Sequence, residues 1–195
     1  MEQLAALVAF SFVSSVTPGP NNVLLWASGA EFGLRATLSH VVGTAAGLGA
    51  MALAAAGGLN ALVTSVPELA IAMKAVGSLY LLYLAWQIAG ARALQRGSLA
   101  RPMGFVQATA FQLINPKAWI FALGAVTTFR PVDLPAVTGS LVVAAVMMVV
   151  ILPTATLWVV AGDALGRLIS SDRARRAVSV VLAATVVATV VLVWL

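Results

Sequence analysis

The chain has 195 residues, of which 62% are hydrophobic and 9% charged, with a net charge of +5 and no cysteine. A soluble domain averages about 25% charged residues, and one core of this length could not hide so much apolar surface from water, so the soluble class is excluded. The missing cysteines exclude disulfides, thiolate metal sites and thiol redox chemistry.

Crossing about 30 Å of hydrocarbon takes roughly 20 apolar residues in a helix. Six stretches meet this length: 3–25, 37–59, 67–91, 104–129, 136–160 and 177–195. The first opens with Glu2 and lacks the basic leading segment of a secretory signal, so it is read as a spanning helix. Inside it lies Thr17-Pro18-Gly19-Pro20-Asn21-Asn22. A proline has no N–H and its ring clashes with the carbonyl one turn back, so the helix must break there. The groups it frees survive in hydrocarbon only if buried in protein or facing a wet cavity.

The second span carries Gly43 and Gly47, which let another helix approach closely. His40, the sole histidine, sits near the start of that span, where an interfacial or hydrogen-bonding role is favoured over a proton relay. Lys74 lies some seven residues into the third span and is read either as snorkelling to the outer interface or as a proton-coupling group.

The fourth span is interrupted in turn by Asn115-Pro116-Lys117-Ala118-Trp119. Lys117 is the deeper of the two lysines and the main candidate to meet a substrate carboxylate or to exchange a proton. Trp119, close to mid-span, either packs between helices or lines the pathway. Asp163 follows the fifth span as a further proton-coupling candidate and, with Glu68, a candidate lysine partner. The sixth span is rich enough in valine for propensity to suggest a strand. Its length without a turn signal argues for helix.

Orientation follows from the short loops. Those after the first, third and fifth spans hold Arg35, then Arg92, Arg96 and Arg101, then Arg167, Arg173, Arg175 and Arg176, whereas the opposite side has only Arg130. The positive-inside rule places the basic side in the cytoplasm and both termini outside it, in the periplasm. The net positive charge is thereby a membrane signal, and no nucleic-acid partner is expected. Trp26, Trp86 and Trp158 then fall near the inner interface and Trp194 near the outer one, as an aromatic belt.

Pro18 and Pro116 are 98 residues apart, half the chain. Each stands about midway along the first helix of a three-helix half, and an odd number of spans makes the second half enter from the opposite face. The fold expected is therefore all-α and integral to the membrane: six transmembrane helices in one domain, as two inverted three-helix repeats (about 1–97 and 98–195) with helices 1 and 4 interrupted. In transporters of this plan the substrate sits where the discontinuous helices meet.

A zwitterion needs donors for its carboxylate and acceptors for its ammonium, and half-helix ends supply both. The substrate-binding candidates are Pro18, Gly19, Pro20, Asn21, Asn22, Asn115, Pro116, Lys117 and Trp119. The three asparagine amides either meet the solute or satisfy the freed backbone. Neither a phosphate-binding loop, a dinucleotide motif nor a metal-ligand cluster is present in the sequence, so no cofactor and no metal are expected.

Several stretches resemble one known family. TPGPNN in the first span, the Gly43 and Gly47 pair, Gly77-Ser78-Leu79-Tyr80-Leu81 in the third and NPKAWIF in the fourth look like the LysE/RhtB family of amino-acid exporters. The likeness covers nearly the whole chain and is closest to RhtB-type exporters of neutral amino acids, including those for cysteine and O-acetylserine. It implies a multi-pass protein of the bacterial inner membrane that exports small amino acids or close derivatives, with protons as coupling ions, membrane lipid as solvent and a homodimer as candidate assembly. Many relatives carry an acidic residue directly after the second glycine of the pair, where this chain has Leu48, which argues against a cationic substrate such as lysine. Two other classes remain open on sequence alone: an intramembrane hydrolase pairing His40 with Ser78, Ser140 or another buried serine, and a structural subunit.

Overall fold

In a computed structural model, residues 2–59, 65, 67–89, 101–169 and 171–195 are described; Arg92 and Arg96 lie outside them. Seven α-helices and no strand occur among the described residues: α1 (Glu2–Val16), α2 (Pro20–Ala54), α3 (Pro67–Ala89), α4 (Phe105–Ile114), α5 (Pro116–Phe129), α6 (Ala136–Leu168) and α7 (Asp172–Trp194). The valine-rich C-terminal segment is helix α7, started by Ser171, whose hydroxyl accepts the N–H of Ala174 at 3.2 Å. Among the described residues three helical stretches are long and apolar enough to cross a membrane: Pro20–Ala54, Ala136–Leu168 and Arg176–Trp194.

Helix α2 is not one rod. Gly33 has φ 75° and ψ 178°, outside helical geometry and in a region that favours glycine. The Ser28 hydroxyl lies 2.9 Å from that of Thr37, nine residues on, a separation that a straight helix would stretch to about 13 Å. Residues 20–32 and 34–54 are thus two arms folded against each other. The sequence places a loop between 25 and 37; the structure replaces it with a reversal at one glycine.

The interruptions fall where the prolines put them. α1 stops at Val16 and α2 begins at Pro20; α4 stops at Ile114 and α5 begins at Pro116. Both prolines stand at the first helical position, where a missing N–H costs nothing. Pro20, 96 residues before Pro116, thus opens its helix as Pro116 does, while Pro18 lies in the break itself. Pro18 acts differently: it deprives the Ser14 carbonyl of its donor one turn on. Helix α6 also runs eight residues past the expected end of the fifth span, to Leu168, and Arg167 bonds Asp163 at 2.9 Å in its last turns.

Packing is tightest where side chains vanish. A Cβ on Gly29 of α2 would strike the backbone of Val159, and one on Gly162 of α6 the backbone of Trp26. Gly43 and Gly47 let α2 lie on α4, a Cβ at Gly43 meeting the Phe105 carbonyl oxygen at 2.5 Å and one at Gly47 meeting Gln112 Cγ at 2.7 Å. Trp26 is 4% exposed. Its backbone lies against Gly162 of α6 and its side chain is buried within the protein.

Polarity is inverted relative to a water-soluble protein. Asn21, His40, Thr44, Gln112 and Asn115 are buried, while Leu79, Val149 and Trp86 are exposed on the outer surface. Lipid solvates such an exterior as well as a core would. One apolar cluster joins Leu25, Met51, Phe121, Met147 and Ile151 from α2, α5 and α6. A second, around Leu81, Ile88 and Val186, holds α3 to α7.

Candidate functional site

Each broken helix is completed by side chains. At the first break Asn22 donates its amide to the carbonyls of Ser15 (2.8 Å) and Thr17 (2.9 Å). Lys117, from the other break, donates its ammonium to the carbonyls of Thr17 and Pro18. A Cβ at Gly19 would meet Lys117 Cδ at 2.7 Å, so the absence of a side chain there is what admits the lysine stem. Four donations thereby reach three carbonyls left without their usual helical partners.

The second break is repaired in the same way. The Trp119 indole N–H donates to the Leu113 carbonyl at 2.7 Å, and the Asn115 N–H turns back to Gln112 O at 3.2 Å. Gly77 of α3 lets the Ile114 carbonyl approach, 2.6 Å from where its Cβ would stand. Trp119 thus serves the freed backbone.

Between the breaks a knot of buried side chains converges on one oxygen. Asn21 Oδ1 accepts from Gln112 Nε2 at 3.0 Å and Thr44 Oγ1 at 3.3 Å, and lies 3.3 Å from His40 Nε2. Facing an acceptor, Nε2 must carry the proton, which leaves Nδ1 as a lone pair. That Nδ1 is buried with no hydrogen-bond partner among the described residues, as is Asn115 Oδ1. An unmet buried polar atom costs about 1–3 kcal/mol, so both mark places where this arrangement is not the most stable one for every group. Gln112 spends its second N–H on the Ala108 carbonyl at 3.0 Å and takes the Asn115 amide at 3.5 Å.

These groups border a cavity of about 40 Å³. Ser14 and Ser15 of α1, Asn21, Asn22 and Thr44 of α2, and Gln112, Asn115 and Lys117 supply its polar wall; Leu48, Phe121 and Ile151 supply apolar wall. It has room for about three waters. Among the described residues Lys117 is its only charged lining residue, and no carboxylate lines it. Pro153 lies inside α6, and Thr154 of the cavity wall bonds its own helix at Val150 O (2.9 Å).

Of the residues picked out from sequence, Gly19, Asn21, Asn22, Asn115 and Lys117 share this cavity. The cavity does not gather Lys74 or Asp163. Lys74 Nζ stands 5.9 Å from the Trp194 ring centroid, and Asp163 is held by Arg167 in an exposed ion pair. Thr44 and Gln112 were not singled out from sequence, and His40 was given a peripheral place. The spacing held a signal: His40, Gly43, Thr44 and Gly47 share one helix face, and Gln112 lies one turn before the Asn115-Pro116 break. The hydrolase pairing is not made, since His40 bonds Asn21 and Ser78 accepts the indole N–H of Trp194 at 2.9 Å.

Paired helix interruptions closing on a polar cavity inside an apolar shell define a helical membrane protein built around an internal polar site. The chain belongs to the LysE type translocator family, whose model matches residues 12–194. It is similar to proteins named cysteine/O-acetylserine efflux protein from Salmonella typhimurium and Escherichia coli (strain K12), each 29% identical over 126 residues, covering 65% of this chain and 65% of the relative. The protein of that name from Klebsiella pneumoniae subsp. pneumoniae is also 29% identical, over 65% of this chain and 64% of its own length. The chain therefore aligns with just under two thirds of these relatives. No solved structure matches.

Proposed function

We propose that the protein is a secondary transporter that exports small neutral amino acids or close derivatives across the bacterial inner membrane, by alternating access and proton antiport. The observation that carries this reading is the mutual bracing of the two breaks around a polar cavity: Lys117 reaches back to Thr17 and Pro18, and Asn21 takes Gln112.

The reading includes six spans in one domain, arranged as inverted halves of about 1–97 and 98–195. The contact pattern supports it: α1 packs on α6 as α4 packs on the second arm of α2, and α3 packs on α7. Asn21 and Lys117 each follow the proline that opens a half-helix, and each reaches the segment before the other break. The arginine bias places both termini in the periplasm.

Chemistry favours a zwitterion. Lys117 and the N-terminal ends of the two half-helices attract a carboxylate. The ammonium would be met by serine hydroxyls, asparagine oxygens and freed carbonyls. With Leu48 on the wall and no acidic side chain, nothing there would hold an additional positive charge. The relatives' names point to the same solute class. In alternating access the site between the two breaks would open on one face at a time.

The test is efflux of labelled cysteine, O-acetylserine and other small amino acids from cells overproducing the protein, with and without a collapsed proton gradient. Accelerated efflux that needs the gradient is expected. Downhill efflux indifferent to collapse would leave a facilitator, and no acceleration for any of them would overturn the reading.

A further inference from the structure

We propose that the solute path continues from the break cavity into a second chamber, and that the knot of Asn21, His40, Thr44 and Gln112 is the gate between them. The proposal rests on the transport reading above and names the route and its door.

The second chamber is an open groove of about 640 Å³ that shares no lining residue with the first. His40, Ser28, Tyr80, Gln107 and Arg101 supply its polar wall. The two spaces are separated by one layer of side chains: His40 lines the second, Asn21 lines the first, and a contact of 3.3 Å joins them. Thr44 and Gln112, the other members of the knot, border the first cavity, while Phe111 and Ile114, neighbours of Gln112 and Asn115, border the second.

The knot has the build of a door. Its three cross-links meet at a single atom, Asn21 Oδ1, so one amide rotation releases all of them. No backbone ladder has to open, because each partner is a side chain. The imidazole already lacks a partner at Nδ1. A turned ring would gain one from a solute or water in the larger chamber. Arg101 is the only charged residue on that chamber's wall among the described residues. It would receive a carboxylate at the mouth, with the imidazole N–H next along the path and Lys117 beyond the gate. A permanent seal with the same hydrogen bonds is the competing account.

The chain has no cysteine, so single cysteines are read without background. Ala110→Cys reports on the second chamber and Ser15→Cys on the first, using a membrane-impermeant methanethiosulfonate on right-side-out and inverted vesicles containing the full chain. Ala110→Cys should label from the face bearing Arg101 and Ser15→Cys from the opposite face. Adding Asn21→Ala should raise labelling of Ala110→Cys from the opposite face by at least ten-fold. Thr44→Val, which removes one donor only, should raise it less and covers the case in which Asn21→Ala does not fold. Labelling of Ala110→Cys from neither face, labelling of both cysteines from one face only, or no rise with either knot variant would overturn the gate. Amino-acid efflux is measured in parallel on the unaltered protein: transport without this labelling pattern defeats the gate alone, and the pattern without transport defeats the exporter reading.

Discussion

Lys117 and Thr17 are 100 residues apart in sequence, yet the ammonium of one is bonded to the carbonyl of the other. The lysine of the second break thus completes the helix end of the first. A cation buried in a membrane protein needs such partners, and a broken helix needs such a donor. Each defect supplies what the other lacks.

Replacing Lys117 by Met removes both donations and leaves the Pro18 carbonyl, at 3.3 Å from the ammonium, with no known donor. The expected loss is on the order of 1–3 kcal/mol, read as a lower thermal midpoint in detergent. Efflux should fall about ten-fold or more, since the cavity would also lose its only cation.

Asn21 and Gln112 should be energetically coupled across 91 residues. In a double-mutant cycle with Asn21→Leu and Gln112→Leu, the double variant should be more stable than the two single losses sum to, by about 0.5–3 kcal/mol. Strict additivity in thermal or denaturant unfolding would mean that the 3.0 Å bond contributes nothing.

Glycines at close approaches should be far less replaceable than those in open space. Gly162→Ala, driven into the Trp26 backbone, should destabilise by about 1–3 kcal/mol. Gly33→Ala meets no atom but must hold φ 75° and ψ 178°, at a cost of roughly 1–3 kcal/mol. Gly57→Ala meets neither obstacle and should be neutral within about 0.5 kcal/mol. Expression level and detergent melting of the three variants rank them.

Asp163→Asn should leave efflux within about two-fold of the unaltered protein, because its carboxylate is engaged by the exposed Arg167 outside the cavity. Stability should change by less than about 1 kcal/mol. A loss of coupled transport comparable with that of Lys117→Met would return Asp163 to the proton path.

Much of this was readable before any coordinates. Prolines and asparagines inside apolar runs are costly in lipid, so the two breaks and their joint cavity announce themselves through residue type alone. Residues whose position depends on the partner helix did not. Gly33 looked like one more loop residue, although it turns α2 back in a single step. Trp26 suits an interface by composition, yet its side chain is buried within the protein. His40 looked peripheral because its neighbours, Asn21 and Gln112, come from 19 residues before and from another helix. No periodicity within one span carries that information.

The most direct measurement of the central claim is transport by purified protein in proteoliposomes, comparing the unaltered chain with Asn21→Leu and Lys117→Met variants shown by circular dichroism to be folded. Gradient-driven movement of a labelled small neutral amino acid by the unaltered protein, lost in both variants, is the predicted result. Undiminished transport by both folded variants would contradict the account, because the solute would then be crossing somewhere other than between the two breaks.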